Sequence, residues 1–117
     1  MKLTPTQFGG AAAVDGYGPG FFRVGGQVIQ GAVLVTGAGA VAWGGLDDRA
    51  ALMGLAGQVD VLFLGLGETI AHAPADLVAA LREKGVAVES MASPTAARTY
   101  TVTIAEGRRV ACALLPL

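Results

Sequence analysis

Val59-Asp60-Val61-Leu62-Phe63-Leu64 is followed by Pro74-Ala75-Asp76-Leu77-Val78-Ala79-Ala80-Leu81-Arg82-Glu83-Lys84-Gly85, and then by Val86-Ala87-Val88-Glu89. The first run is almost continuously apolar. A strand covered on both faces needs no polar alternation, so the run predicts an interior strand. Pro74 suits the first turn of a helix, and Leu77, Val78 and Leu81 fall on one helical face. Arg82 and Lys84 complement the negative end of that helix, and Gly85 stops it. Val86 to Glu89 returns as a strand. Strand, helix and strand within about 30 residues make a βαβ unit, which predicts parallel strands joined by a right-handed crossover.

Upstream, Phe21-Phe22-Arg23-Val24 and Gln27-Val28-Ile29-Gln30 flank Gly25-Gly26. A Gly-Gly pair tolerates the positive φ of a tight turn, so this is a predicted hairpin. Ala32 to Thr36 is a further buried strand, Gly37-Ala38-Gly39 a turn, and Ala40 to Trp43 another short strand ended by Gly44-Gly45. Asp47 or Asp48 caps a predicted helix reaching about Ala56, with Leu52, Leu55 and Ala56 on its apolar stripe and Gly57 as its stop.

The last third supports two readings. Thr99-Tyr100-Thr101-Val102-Thr103-Ile104 alternates and is rich in β-branched residues. With Glu106-Gly107 as a turn and Arg109 to Leu115 returning, it reads as a hairpin. Ser93-Pro94 also reads as an N-cap followed by proline, Ala96 and Ala97 favour helix, and Gly107 fits a C-terminal stop. Propensity does not separate the two.

The chain has 117 residues, a formal net charge of -1 and a pI near 5.7, with 53% apolar and 15% charged residues. Such a chain is expected to form one domain, residues 1–117, with one compact core rather than a disordered segment. One cysteine, Cys112, excludes an intrachain disulfide and suits a reducing compartment. One cysteine and one histidine, His72, cannot furnish a structural zinc site, which takes about four such ligands. The charge balance provides no field for a phosphate backbone, and Arg108-Arg109 is the only adjacent basic pair, so no nucleic-acid partner is expected. Met1 to Phe8 lacks the apolar core of a secretory leader. Val24 to Leu46 carries no charge, and it is long enough to span a bilayer, which takes about 20 residues. Its Gln27, Gln30 and repeated glycines instead suit strands in a soluble core.

Candidates for chemistry each have a structural counterpart. Gly65-Leu66-Gly67-Glu68-Thr69 leaves a buried strand, and its N–H groups are of a kind that can converge on an anion where open sheets place ligands. Ile70 stands where a dinucleotide fingerprint needs its third glycine, which favours a plain strand-exit turn over nucleotide binding. Arg98, Tyr100 and Arg108 offer a guanidinium fork and a hydroxyl to a carboxylate or phosphate. The plainer reading pairs Arg98 with an acid such as Glu68 or Glu106 and buries Tyr100 with its hydroxyl satisfied. His72 lacks a framed nucleophile, since Ser90 and Ser93 are the only serines, and it reads as a surface loop residue. Cys112 alternates with Val110 and Leu114 and reads as core. Trp43, Phe21 and Phe22 read as core residues, or as partner anchors if exposed.

Several stretches together resemble a family of small domains of unknown function. That family includes the mitochondrial NADH dehydrogenase (complex I) assembly factor 3 and the adipogenesis-associated protein. The stretches are Gly16-Tyr17-Gly18 with Phe22-Arg23-Val24, Gly31 to Val35, Trp43, Val61 to Gly67, Val88 to Met91, Ala96 to Tyr100, and Glu106 to Ala111. The resemblance implies an α/β (α+β) fold. Its form is a three-layer β/β/α domain with a central mixed sheet, a second small β layer and helices on one side. It also implies that the Arg98-Thr99-Tyr100 stretch is helical. The family pattern continues Thr-Tyr with Asn, where this chain has Thr101.

The expected function is that of a non-enzymatic interaction or assembly protein, possessing neither catalytic residues, cofactor nor metal. Its partners would be proteins, such as respiratory-complex subunits or another assembly factor, met in a bacterial cytoplasm without membrane insertion. The alternative is a small-ligand or anion-binding domain, or an enzyme of unknown reaction. It would use Gly65, Gly67, Glu68 and Thr69 with Arg98 and Tyr100.

Overall fold

The computed structural model describes residues 13–69 and 72–117. The reading of Met1 to Phe8 lies outside the described residues. Among the described residues, eight strands and three helices follow one another. They are β1 (Val14–Gly18), β2 (Phe21–Val24), β3 (Gln27–Gln30), β4 (Val33–Thr36), β5 (Gly39–Ala42), α1 (Arg49–Met53), β6 (Val61–Gly65), α2 (Ala75–Glu83), β7 (Ala87–Met91), α3 (Ser93–Ala105) and β8 (Val110–Leu114).

A small antiparallel sheet has the order β1-β2-β3, and a five-stranded sheet has the order β5-β4-β8-β6-β7. The large sheet is mixed. β5, β4 and β8 pair antiparallel, whereas β8, β6 and β7 run parallel. The predicted hairpin forms as read, with Val24 opposite Gln27 around Gly25-Gly26, whose φ values are +58° and +85°.

Apolar runs in β4, β6 and β8 are continuous because both faces of the large sheet are covered. Val33, Val35, Phe63, Val110, Cys112 and Leu114 face one cluster, shared with Phe22 and Val24 of the small sheet and with Ala96, Ala97 and Tyr100 of α3. Leu34, Leu62, Leu64, Ala111 and Ala113 face the other, shared with Leu52 of α1 and with Leu77 and Leu81 of α2. Three layers are present, but the helices divide between the two faces, with α3 lying beside the small sheet.

Topology dictates that division. The chain steps from β6 to β7 through α2, then returns past β6 to β8 through α3. Right-handed crossovers taken in opposite directions along a sheet must place their helices on opposite faces. The ambiguous last third is therefore a helix. Its buried residues Ser93, Ala96, Ala97 and Tyr100 recur at helical spacing, and the alanines let its backbone approach the sheet closely.

All three helix starts differ from the sequence reading. Pro74 stands at the N-cap of α2 rather than in its first turn. Asp48 does stand at the N-cap of α1 but makes no cap bond. Its carboxylate instead accepts the Gly44 N–H (3.1 Å), and its carbonyl accepts the Trp43 indole N–H (3.1 Å). Ser93 is the first residue of α3 rather than its cap, and its hydroxyl is used elsewhere, as described below. β1 was not expected from the sequence. Asp15 bulges out of its ladder, and its glycines serve close packing. A Cβ on Gly18 would stand 2.5 Å from the Phe21 ring, and one on Gly16 would stand 3.1 Å from the Arg23 guanidinium.

Candidate functional site

The connections leaving β6 and β7 diverge to opposite faces of the sheet. The carboxyl ends of those strands are thus a topological switch point, where open sheets place ligands. In this protein the space is filled from within. The Gly67 N–H donates to Ser93 Oγ (2.9 Å), Ser93 Oγ donates to the Leu115 carbonyl (2.7 Å), and the Ser93 N–H donates to the Gly67 carbonyl (2.7 Å). Leu66 N–H to Met91 O and Leu115 N–H to Gly65 O, both 2.9 Å, complete the stitching. Ser93 is fully buried. Gly65 must be glycine here, because a Cβ would lie 2.7 Å from Ser93 Cα and 2.9 Å from Leu114 Cδ2.

The sequence-predicted site residues divide around this point. Gly65 and Gly67 lie against Ser93, and Glu68 and Thr69 are exposed beyond it. Arg98 is exposed and lines a shallow groove with Thr99, Val102 and Thr103, a set that includes no residue of the 65–69 loop. Tyr100 is fully buried in the core beside Cys112. Burial pushes the Tyr100 hydroxyl well above the usual phenol range, with a smaller contribution from Cys112. Burial alone raises the Cys112 thiol, so it carries no reactive thiolate. Arg108 lies beyond the far end of α3, a helix about 20 Å long at 1.5 Å per residue. His72 is exposed. Trp43 and Phe22 are buried, and the Phe21 ring lies against Gly18.

Two residues matter more than their sequence context suggests. Ser93 closes the switch point, and its partners lie 26 and 22 positions away. Thr101 ties α3 to the small sheet. Its hydroxyl accepts the Val14 N–H (3.2 Å) and donates to the Val14 carbonyl (3.4 Å). A hydroxyl, like an amide, can donate and accept at once. Thr101 can therefore hold the β1 backbone by both its polar groups without the asparagine of the family pattern.

A second concavity, of about 290 Å³, lies at the opposite end of the parallel strands. The turn residues Gly37 and Ala38 form one side, and Ile104, Arg108, Arg109 and Val110 form another. Arg109 donates to the Gly57 carbonyl (3.1 Å) and lies 3.7 Å from Asp60. Among the described residues, no group of three or more His, Cys, Asp or Glu side chains is placed to hold a metal ion, and no helix is long and apolar enough to cross a membrane.

Residues 14–115 match the family described as protein of unknown function (DUF498/DUF598). An uncharacterized protein of Rhodobacter capsulatus is 52% identical over 94% of this chain and 89% of its own length. The NADH dehydrogenase [ubiquinone] 1 alpha subcomplex assembly factor 3 of Danio rerio is 27% identical over 99% of this chain and 71% of its own. The crystal structure of an outer membrane protein from Bartonella henselae superposes with a TM-score of 0.82 at 29% identity, covering 92% of this chain and 96% of that one.

Proposed function

Because the chain belongs to the DUF498/DUF598 family, we propose that it is a non-enzymatic, assembly-factor-like interaction domain. It acts in the bacterial cytoplasm on subunits of respiratory complex I or on another assembly factor. The observation that carries this reading is the likeness to a complex I assembly factor along nearly the whole chain. The geometry agrees with it. The switch point, the customary ligand position of such a sheet, is occupied by Ser93 and by backbone hydrogen bonds. The other reading is an anion pocket at Gly65, Gly67, Glu68 and Thr69 with Arg98 and Tyr100. It has less support, because the Gly67 amide already donates to Ser93 and Tyr100 is buried.

Deleting the gene in its native host and separating membrane complexes by native electrophoresis tests the proposal. Assembled complex I falls and partial assemblies accumulate, and the wild-type gene restores the complex. An undiminished complex in the deletion strain overturns the proposal. A thermal-shift screen with phosphates and carboxylates tests the pocket reading. A native-state ligand at a hundred times its Kd adds about 2.7 kcal/mol of stability.

A further inference from the structure

The described sheet edges are protected to different degrees. β1 is held by Thr101, which engages both backbone polar groups of Val14. β3 begins and ends with exposed glutamines, Gln27 and Gln30. β7 carries the exposed polar residues Glu89 and Ser90. β5 reads Gly39-Ala40-Val41-Ala42, with neither charge nor proline, and Val41 is 58% exposed. Edge strands ordinarily carry a charge, a proline, a bulge or a cover against further pairing. Among the described residues, β4 is the only strand bonded to β5.

The register shows which groups are free to pair. The Trp43 N–H donates to the Ala32 carbonyl (3.0 Å), and Val41 and Gly39 lie opposite Leu34 and Thr36. Hydrogen-bonded and non-bonded pairs alternate along an antiparallel ladder. Residues 43, 41 and 39 therefore bond toward β4, and the N–H and C=O groups of Ala40 and Ala42 point away from the sheet. The small side chains of Ala40 and Ala42 leave the approach to those groups open. At the turn end of β5, Gly37 and Ala38 border the cleft that holds Arg108, whose side chain has no acidic partner among the described residues.

We propose that β5 is a strand-addition site for an extended, largely apolar segment of a partner protein. The segment runs antiparallel to β5 and carries an acidic residue just beyond its C-terminal end. This proposal rests on the protein-interaction reading above and specifies its surface. Main-chain bonds to Ala40 and Ala42 provide the pairing, and Val41 offers one apolar contact. An antiparallel segment leaves β5 at the Gly39 end, so its following residues pass over Gly37-Ala38 toward Arg108. Charge complementarity then selects an acidic tail. A second copy of this chain is a poorer occupant. A stable interface uses about 20–30 residues a side, and β5 offers four.

The test is an NMR titration of the full-length, isotope-labelled protein with the acetylated peptide Val-Thr-Val-Thr-Val-Gly-Asp-Glu. The expected shifts concentrate in the amides of residues 39–42 and 108. Val41→Lys abolishes binding, whereas Val102→Lys, at an equally exposed valine elsewhere, binds like wild type. Arg108→Glu weakens binding at least tenfold, but has no effect on a peptide whose acids are replaced by Asn and Gln. Each variant's own amide spectrum reports that it is folded. Shifts mapping elsewhere, or equal binding by Val41→Lys and Val102→Lys, overturn the proposal. So does a free protein that dimerises with its β5 amides protected. None of these failures alters the deletion phenotype, so the surface and the general function are tested separately.

Discussion

Replacing Ser93 by alanine removes one oxygen from a fully buried site and breaks two bonds at once. The Gly67 N–H and the Leu115 carbonyl each lose a partner, and the methyl group offers no substitute. A net hydrogen bond contributes about 0.5–1.5 kcal/mol, and a polar group left buried without a partner costs about 1–3 kcal/mol. The expected loss is about 2 kcal/mol. At about 4 °C per kcal/mol for a chain of this length, the melting temperature falls by about 8 °C. Urea unfolding followed by the fluorescence of Trp43, the only tryptophan and a buried one, provides the assay. The midpoint moves down while the slope stays constant, since the surface exposed on unfolding hardly changes. Ser90→Ala, at an exposed position of β7, is the control and leaves the midpoint in place. A Ser93→Ala loss below about 0.5 kcal/mol refutes the reasoning. Solvent would then reach the switch point and replace the hydroxyl.

Gly65→Ala drives a Cβ against Ser93 Cα and Leu114 Cδ2, and overpacking of this kind costs about 1–3 kcal/mol by the same unfolding assay. Thr101→Val breaks the tie between α3 and β1 and lowers stability by about 1 kcal/mol. Faster amide exchange in β1 accompanies the loss, whereas Thr101→Asn retains the tie. Stability also falls at alkaline pH. The Cys112 thiol is raised in the fold from an ordinary value of 9.0, and the Tyr100 hydroxyl from 10.0. A group raised on folding stabilises fully below its unfolded value, and that stabilisation is lost as pH rises toward the folded value. Denaturation midpoints therefore hold steady to about pH 8 and decline above about pH 9, and Cys112→Ala moves the onset of the decline to about pH 10.

Residues close in sequence made the parallel part of the fold readable. The Val59 to Leu64 run, the Leu77, Val78 and Leu81 stripe and Gly85 specify their elements locally: the strand forms as Val61–Gly65 and the helix as Ala75–Glu83, with Leu77 and Leu81 buried and Val78 half-buried. The Gly25-Gly26 turn was legible for the same reason. β1 was not, because Gly16 and Gly18 weaken the strand signal and their purpose lies in contacts with Arg23 and Phe21 on the next strand. The segment from Thr99 to Ile104 alternates like a strand. Its helical state follows from the burial of Ala96, Ala97 and Tyr100 against a sheet formed by distant residues. Long-range packing overrode local propensity there. At the switch point, the glycine loop was visible in the sequence, but its occupant was not. Ser93 reads as a helix cap beside Pro94, and only the fold brings it to Gly67 and Leu115. The open edge of β5 was equally hidden, since an uncharged short strand looks interior until its place in the sheet is known.

Complementation of the deletion strain with equal amounts of wild-type or Val41→Lys protein tests most directly whether this domain works by docking a partner. Val41 is 58% exposed, so the substitution leaves the core untouched. Wild type restores assembled complex I on a native gel, and Val41→Lys leaves the partial assemblies in place. Full complex I in the strain carrying Val41→Lys would contradict the account.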